Sequence, residues 1–196
     1  MAIDEALLRA AREPILRIYR WEQPAVSFGY FGKWAEVQRT WPEREAVRRW
    51  TGGGIVPHGD DLTYSLIVPR EHPFAMLGPL ESYRAIHEAL AAALGSASLA
   101  TRADPKVSDA CFENAVRHDI VVAGRKIAGA AQRRSKPGLL HQGSIQPVSD
   151  PEAMARALPG AFARRVEAMP LARETCSEAS RLVSERYGTR EWLHRR

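Results

Sequence analysis

Apolar and polar positions along the chain follow two different periods, and each change of period predicts a change of secondary structure. Apolar residues within 2–12 repeat every three to four positions, which predicts an amphipathic helix that ends before Pro14. The same repeat over 78–95 predicts a second helix, with Gly95 as its C-terminal cap. Residues 15–20 alternate between apolar and polar side chains, which is typical of a half-buried strand.

The stretch from residue 33 to residue 68 is organised around three consecutive glycines. Residues 33–46 are partly helical in pattern, whereas 47–50 and 62–68 are predicted strands. The loop between them, 51–54, contains the glycines, which let backbone N–H groups approach a ligand closely. The arginine pair just before this loop supplies fixed positive charge for a phosphate or a carboxylate. The loop matches neither a P-loop nor a dinucleotide-binding fingerprint.

Residues 108–146 contain the densest pattern of the chain. A cysteine is followed by a β-branched run, a Gly-Arg-Lys turn at 124–126, a small-residue stretch at 128–131 and a second apolar run. This order predicts strand, tight turn, strand, loop and strand, with a flat Gly/Ala strand that leaves room for a ligand. Further on, a helix is predicted at 151–158, broken by the Pro-Gly pair that follows, and residues 161–196 are charged and mostly helical in pattern.

Size and composition are ordinary for a single globular domain over 1–196. The chain is 45% hydrophobic and 26% charged, and no run approaches the roughly 20 apolar residues that span a bilayer. The N-terminus lacks the layout of a signal peptide, and two cysteines do not make a disulfide framework. We therefore expect a cytoplasmic protein without a membrane partner.

The positive charge indicates an acidic partner. The net charge is +5 and the pI is about 9.6, mostly from arginine. Coulomb attraction then favours an acidic protein or a nucleic acid. Because the basic residues have little aromatic interleaving, we expect an acidic carrier protein and no nucleic acid.

Candidate chemistry centres on Cys111 and Lys126, which a strand pair would bring together. A nearby ammonium favours the thiolate form of a cysteine, and it also stabilises an oxyanion at an acyl carbonyl. These residues therefore predict an acyl-transfer site. The alternative leaves Cys111 as a small buried hydrophobe and Lys126 as a solvated turn residue.

The histidines do not have the spacing of a metal site. His58, His118 and His141 lack an accompanying CxxC or HxxxH pattern, so we predict no metal, with His58 and His141 lining the pocket instead. His87 is expected to be structural. No GxSxG elbow is present, and a Ser-His-Asp triad stays open on composition alone.

Taken together, the motifs resemble the lipoate/biotin protein ligase and octanoyltransferase superfamily over roughly residues 1–146. The matching segments are Met1-Ala2-Ile3-Asp4-Glu5-Ala6-Leu7, Arg48-Arg49-Trp50-Thr51-Gly52-Gly53-Gly54-Ile55-Val56, His58, Leu62-Thr63-Tyr64-Ser65, Gly124-Arg125-Lys126-Ile127-Ala128-Gly129, Ala131-Gln132-Arg133 and Leu140 through Ile145. The resemblance implies an α/β (α+β) fold of the class II synthetase type, a largely antiparallel mixed sheet flanked by helices. It also implies an acyl tunnel covered by the glycine loop, with Lys126 at the acyl carbonyl.

The superfamily contains two chemistries, and the sequence favours the first. Ala110-Cys111-Phe112 and Leu62-Thr63-Tyr64-Ser65 are similar to the cysteine-type octanoyltransferases, which move octanoate from octanoyl-acyl carrier protein through a cysteine thioester. The acceptor is the lysine of a lipoyl domain, on the glycine cleavage H protein or a 2-oxoacid dehydrogenase E2. The Gly-Gly-Gly loop and Arg117-His118-Asp119 are similar to the ATP-dependent lipoate–protein ligases instead. Pro57 stands where those ligases often have an aromatic residue.

The resemblance assigns roles residue by residue. In the transferase hypothesis Cys111 and Lys126 are catalytic, and no cofactor is needed. In the ligase alternative Cys111 is dispensable, and ATP and Mg are required. A third possibility is a non-catalytic acyl-binding protein of the same fold. The expected substrate-binding residues are Arg49, Gly52, Gly53, Gly54, His58, Gly129, Ala131, His141 and Gly143.

Overall fold

The computed structural model describes residues 1–95, 97–101, 103 and 115–195, and within these ranges it contains two β-sheets and the helices packed on them. The strands are β1 (Ile15–Tyr19), β2 (Ala25–Phe28), β3 (Glu45–Arg48), β4 (Ile55–His58), β5 (Leu62–Pro69), β6 (Ser98–Leu99), β7 (Ile120–Val122), β8 (Arg125–Ser135) and β9 (Gly138–Ile145). The helices are α1 (Ala2–Ala10), α2 (Trp34–Thr40), α3 (Pro79–Ala93), α4 (Pro151–Phe162), α5 (Arg173–Leu182) and α6 (Arg190–Leu193), with a 3-10 turn at Pro73–Met76 and a π-helical turn at Val183–Tyr187.

The larger sheet has the strand order β1–β5–β9–β8–β7–β6, and all of its neighbours are antiparallel. The smaller sheet has the order β3–β2–β4, in which β2 pairs in parallel with β3 and antiparallel with β4. The predicted largely antiparallel sheet with flanking helices is therefore confirmed.

Both faces of the central strands β5 and β9 are covered, and every residue of the two strands is buried. Leu7 and Leu8 of α1 pack against Ile67 and Leu140 on one face. On the other face, α3 and α4 pack against the side chains that alternate with Ile67 and Leu140 along the two strands. Ile86 of α3 is one of the residues that make these contacts. Apolar burial of this kind stabilises the fold by about 25 cal/mol for each Å² removed from water.

Strand β4 was not predicted from the sequence. Pro57 interrupts the apolar pattern of 55–58 and has no N–H for a sheet hydrogen bond. It is tolerated because β4 is an edge strand of the smaller sheet, where Pro57 lies opposite Val26. The predicted strand at 47–50 ends earlier, at Arg48.

Helix α4 continues through the Pro-Gly pair, so the prediction that it breaks after residue 158 is wrong. Pro159 lies inside the helix, which runs to Phe162. Leu158 is completely buried, and Phe162 packs against the core beyond the proline. The apolar contacts on both sides of Pro159 outweigh the hydrogen bond that the proline removes.

No helix of the described ranges is long and apolar enough to cross a membrane.

Candidate active site

A cavity lies between the two sheets, and Lys126 contributes to its wall. Its empty volume is about 460 Å³, part of it open to solvent. Strands β8 and β9 supply one wall with small side chains, because their register places Gly129, Ala130 and Ala131 opposite Ser144, Gly143 and Gln142. The lining residues are Met1, Tyr19, Trp21, Ser27, Arg49, Val56, His58, Thr63, Lys126, Gly129, Ala130, Ala131, Gln142, Gly143 and Ser144.

Lys126 is a buried residue of strand β8, which excludes a solvated turn position. Its Nζ lies 2.7 Å from Oδ2 of Asp119, and the two side chains are 5% and 0% exposed. Asp119 also accepts hydrogen bonds from the Val116 N–H at 2.8 Å and the Tyr83 hydroxyl at 2.5 Å. A buried ammonium needs such a carboxylate, since removing one partner of a buried pair costs about 3–5 kcal/mol.

Tyr83 acts as a neutral donor in this network. Burial, together with the charge of Asp119, raises the pKa of Tyr83 far above that of an ordinary phenol. Its hydroxyl therefore keeps its proton and donates a hydrogen bond to Asp119. The carboxylate is held by two donors in addition to the lysine, so the direction of the Lys126 side chain is set.

Gly129 leaves the space that the Lys126 side chain occupies. A β-carbon at this position would lie 2.6 Å from Cε and 2.8 Å from Nζ of Lys126, and 3.2 Å from Oδ1 of Asp119. These separations are shorter than ordinary contacts. The Lys126 side chain can therefore lie against residue 129 only because glycine has no β-carbon.

Side-chain hydrogen bonds hold the glycine loop next to the cavity. Arg49 donates hydrogen bonds to the carbonyl oxygens of Gly52 at 3.1 Å and Gly54 at 2.7 Å. Thr51 donates to Oε1 of Gln142 at 2.8 Å, and that amide donates to Oδ2 of Asp4 at 2.6 Å. The loop is therefore connected both to β9 and to α1.

Arg48 and Arg49, the arginine pair before the glycine loop, have different roles. Arg49 lines the cavity, as predicted for a residue that offers charge to a ligand. Arg48 does not line it, because its guanidinium donates hydrogen bonds to four carbonyl oxygens, those of Tyr30, Gly32, Leu193 and Arg195. The prediction that both arginines supply charge for a ligand is therefore wrong for Arg48.

A second polar network lies in the wall formed by the smaller sheet. Ser27 Oγ lies 2.6 Å from Nε2 of His58, and Nδ1 of His58 lies 2.8 Å from Oδ2 of Asp61. Thr63 and Ser144 donate to the same Asp61 oxygen at 2.9 Å and 2.7 Å. A Ser-His-Asp arrangement, which composition alone left open, is therefore present in the wall of the cavity.

The predicted site residues fall into three groups. Arg49, His58, Lys126, Gly129, Ala131 and Gly143 line the cavity, and Gly52, Gly53 and Gly54 belong to the loop that Arg49 holds. Cys111 lies outside the described residues. His141 does not line the cavity, in contrast to the prediction.

His141 is fully buried within the larger sheet and is absent from the cavity lining. Its Nε2 lies 3.2 Å from the Tyr64 hydroxyl, and its Nδ1 lies 3.1 Å from Nε2 of Gln132. Burial lowers the pKa of His141 well below that of a free histidine. The described contacts of His141 are thus with the interior of the protein.

Sequence reasoning missed Ser27, Asp61, Tyr83 and Gln142 as site residues. Ser27, Tyr83 and Gln142 lie on β2, α3 and β9, each far in sequence from the residue it contacts in the site. Asp61 lies in the loop before β5, three residues after its partner His58. Two local signals were available: Asp119, which was also not assigned to the site, occurs in the Arg117-His118-Asp119 segment compared with the ligases, and Gln142 occurs in the matching segment Leu140 through Ile145. Among the described residues, no group of three His, Cys, Asp or Glu side chains is arranged to hold a metal ion.

Comparison with known families agrees with this geometry. The lipoyl protein ligase A/B catalytic domain matches residues 1–183. The chain belongs to this family. The resemblance stated from the motifs is therefore confirmed.

Curated relatives in the family are octanoyltransferases. The chain is 38% identical to octanoyltransferase LipM of Halalkalibacterium halodurans over 165 residues, which cover 74% of this chain and 60% of the relative. It is 39% identical to LipM of Carboxydothermus hydrogenoformans over 173 residues, which cover 81% of this chain and 64% of the relative. The chain thus spans about three fifths of the length of these relatives.

Solved structures of lipoate–protein ligases share the fold. Lipoate-protein ligase A bound with ATP superposes with a TM-score of 0.78 at 22% identity, covering 98% of this chain and 92% of that one. The bi-partite lipoate protein ligase of Thermoplasma acidophilum gives a TM-score of 0.73 at 22% identity, covering 98% and 89%. At this identity the likeness establishes the fold.

Proposed function

We propose that the protein is an octanoyltransferase that moves an octanoyl group from octanoyl-acyl carrier protein to the lysine of a lipoyl domain. The observation that carries the proposal is the cavity with a buried Lys126–Asp119 pair beside a wall of glycine and alanine. A wall of glycine and alanine leaves room for an alkyl chain. The Lys126 ammonium can donate a hydrogen bond to the carbonyl oxygen of the acyl group. The octanoyltransferase relatives support the same activity.

The reaction proceeds in two acyl transfers. The Cys111 thiolate attacks the thioester carbonyl of the acyl carrier protein, and the carrier sulfur leaves with the electron pair and takes up a proton. The lysine amine of the acceptor then attacks the Cys111 thioester: its nitrogen forms the amide bond and gives up a proton to a base, while the C–S bond breaks and releases the cysteine thiolate. In both steps Lys126 donates a hydrogen bond to the oxyanion that develops on the carbonyl oxygen.

The thioester supplies the driving force for the amide, so the proposed reaction uses neither ATP nor Mg nor another cofactor. The partners are octanoyl-acyl carrier protein and lipoyl domains, on the glycine cleavage H protein or a 2-oxoacid dehydrogenase E2. The net charge of +5 favours encounter with acidic partners of this kind. A cytoplasmic location follows from these partners.

Intact-protein mass spectrometry tests the proposal. The wild-type protein is incubated with octanoyl-acyl carrier protein, and we expect a mass increase of one octanoyl group that hydroxylamine removes. Cys111→Ala should abolish the adduct, whereas Cys176→Ala, which changes an exposed cysteine on α5, should retain it. The modified wild type should then transfer its octanoyl group to a lipoyl domain without ATP.

Two results would contradict the proposal. Modification of a lipoyl domain that needs free lipoate and ATP, and that survives Cys111→Ala, would establish the ligase activity in its place. Binding of octanoate without an adduct and without modification of a lipoyl domain would indicate a non-catalytic acyl-binding protein.

A further inference from the structure

Three buried side chains in the wall opposite Lys126 form a continuous hydrogen-bonded chain. Ser27 on β2 contacts His58 at the end of β4, and His58 contacts Asp61 just before β5. The exposed fractions of the three residues are 1%, 4% and 1%. Ser27 and His58 both line the cavity that holds Lys126, so the chain runs from the cavity into the protein.

Arg49 determines the direction in which protons are shared along this chain. Its Nη1 lies 2.7 Å from Ser27 Oγ, and a guanidinium can only donate. Ser27 therefore accepts from Arg49 and has its own proton available for His58. The Nε2 of His58 then accepts, and its Nδ1 carries the proton donated to Asp61. One lone pair of Ser27 Oγ is left for a further donor.

Asp61 is held as a carboxylate at the buried end. Burial acts to raise the pKa of Asp61, but hydrogen bonds from His58, Ser144 and the Gly59 N–H more than offset this and lower it. The Gly59 N–H donates to Oδ1 at 3.1 Å, while His58 and the Ser144 hydroxyl both contact Oδ2. A carboxylate fixed in this way stabilises an imidazolium next to it.

The surroundings of His58 keep its imidazole neutral at rest. Trp21 stacks on the ring, with centroids 4.3 Å apart. Burial lowers the pKa of His58 below its ordinary value, the Asp61 carboxylate acts to raise it, and the Arg49 and Arg44 guanidinium groups lower it further. Arg44 lies on the backbone side, where it donates to the His58 carbonyl oxygen at 2.9 Å. Near neutral pH the ring is therefore available as a proton acceptor.

The acceptor amine must lose a proton when it attacks an acyl thioester. Lys126 is ion-paired with Asp119 and is assigned to the carbonyl oxygen, so the attack calls for a separate base. In hydrolases a similar triad activates serine as a nucleophile. Here Arg49 occupies one of the two lone pairs of Ser27, which weakens the oxygen as a nucleophile and leaves it suited to passing a proton on.

We propose that Ser27, His58 and Asp61 form a proton relay that serves the transfer of the acyl group to the acceptor amine. This inference rests on the proposed octanoyltransferase function. The amine arrives neutral, and its nitrogen forms the C–N bond as the C–S bond breaks and its electron pair passes to the cysteine sulfur. The proton of the nitrogen moves to Ser27 Oγ while the Ser27 proton moves to Nε2 of His58. The imidazolium then returns the proton through Ser27 to water, which leaves the cysteine as the thiolate.

In this relay Ser27 is the group that contacts the reacting nitrogen. His58 and Asp61 act through it, His58 as the proton acceptor and Asp61 as the positioning carboxylate. The relay operates on the second transfer, because the first transfer uses a thiolate that carries no proton. Loss of the relay is therefore expected to slow delivery to the acceptor more than loading of the enzyme.

Single-turnover kinetics test the relay. Protein loaded from octanoyl-acyl carrier protein is mixed with a lipoyl domain between about pH 5 and about pH 9, and the adduct on both proteins is followed by mass spectrometry. Ser27→Ala, His58→Gln and Asp61→Asn should each slow the delivery step, Ser27→Ala by about 10²-fold. They should also remove the low-pH inflection of the wild-type rate and reduce its solvent deuterium isotope effect. Ser180→Ala, an exposed serine on α5, should leave all three readouts unchanged.

The outcomes separate the relay from the function on which it rests. Variants that deliver more slowly but keep the wild-type pH profile and isotope effect would show a structural role and overturn the relay. Variants that deliver at the wild-type rate would overturn it as well. A wild-type protein that is never acylated would instead refute the octanoyltransferase function itself, and the relay with it. Thermal unfolding of each variant confirms that the comparison is made between folded proteins.

Discussion

Arg48 and Arg49 are neighbours in the chain, yet their guanidinium groups point to different parts of the molecule. Arg48 is 1% exposed and is surrounded by backbone carbonyl oxygens, two of them from the C-terminal residues 193 and 195. Arg49 faces the cavity and fixes the carbonyls of the glycine loop. Successive residues of an extended chain point to opposite sides, so one pair of identical side chains serves both a structural contact and the site.

At the scale of single residues, Gly129→Ala is expected to displace the Lys126 side chain. The new β-carbon would overlap Cε and Nζ, which belong to the flexible end of the lysine and can move. We therefore expect a loss of the proposed acyl transfer of about tenfold or more with a modest loss of stability, since misplacing a reacting group by about 1 Å is costly. Octanoyl transfer rates and urea unfolding check the two effects.

Gly160→Ala is the matched control for this substitution. A β-carbon at Gly160 meets no atom within 4 Å, and the residue lies in helix α4. Alanine there should leave transfer unchanged and stabilise the protein by about 0.5–1 kcal/mol. Equal transfer rates for Gly129→Ala and wild type would show that the position of Lys126 does not depend on Gly129.

At the scale of elements, Glu5 joins the first helix to the C-terminal segment. The side chain is 1% exposed and is ion-paired with Arg9 in its own helix and with Arg186 at 2.7 Å. It also accepts a hydrogen bond from the Tyr187 hydroxyl at 2.7 Å. Together with the apolar contacts between α1 and α5, these bonds hold the C-terminal helices next to the helix that supplies Asp4 to the site.

Glu5→Gln is expected to loosen the C-terminal helices. The amide removes the charge that two arginines share, and both arginines are partly exposed, so we expect a loss of about 1–3 kcal/mol in the free energy of unfolding. Hydrogen exchange should increase first in 173–187. Glu13→Gln, an exposed residue of the turn after α1, should change neither quantity. Unchanged exchange in Glu5→Gln would refute the anchoring role.

At the scale of the whole molecule, three buried histidines couple the fold to pH. Burial lowers the pKa of His58, brings that of His87 to about 4, and places that of His141 well below the ordinary value. In the unfolded chain each histidine titrates near about 6.5. Between the folded and unfolded pKa values the unfolded state therefore binds more protons than the native state.

Stability should consequently fall as the pH drops below about 6.5. Each histidine contributes a slope of up to about 1.4 kcal/mol per pH unit within its own window. The lowered pKa of Asp61 acts only at still lower pH, where its carboxylate protonates. Urea unfolding at a series of pH values measures the slope, and His87→Gln should reduce it. A free energy of unfolding that does not change across this range would contradict the prediction.

Much of the local structure could be predicted from the sequence. The helix after residue 2, the strand at 15–19, the glycine loop and the helix from Pro79 all lie close to their predicted positions. The motifs also indicated the family, which the match over residues 1–183 confirms. Periodicity and turn residues are local properties, and these elements obey them because packing agrees with the local pattern.

The remaining features depended on contacts between residues distant in sequence. Pro159 is accepted within α4 because apolar contacts form on both sides of it, and Pro57 is accepted in β4 because β4 is an edge strand. The placement of His141 behind the cavity wall also follows from the sheet, because the side chains of a strand point alternately to its two faces.

By itself the sequence determined the family, the order of most elements, and Lys126 beside a strand of small residues. Only the tertiary structure decided which groups surround that lysine and that cavity. Asp119 reaches Lys126 across the β7–β8 pair, Tyr83 reaches Asp119 from α3, and Ser27 meets His58 across the β2–β4 pair. The physical reason is that strand register and helix packing bring these side chains together, and both are set by burial of the whole core.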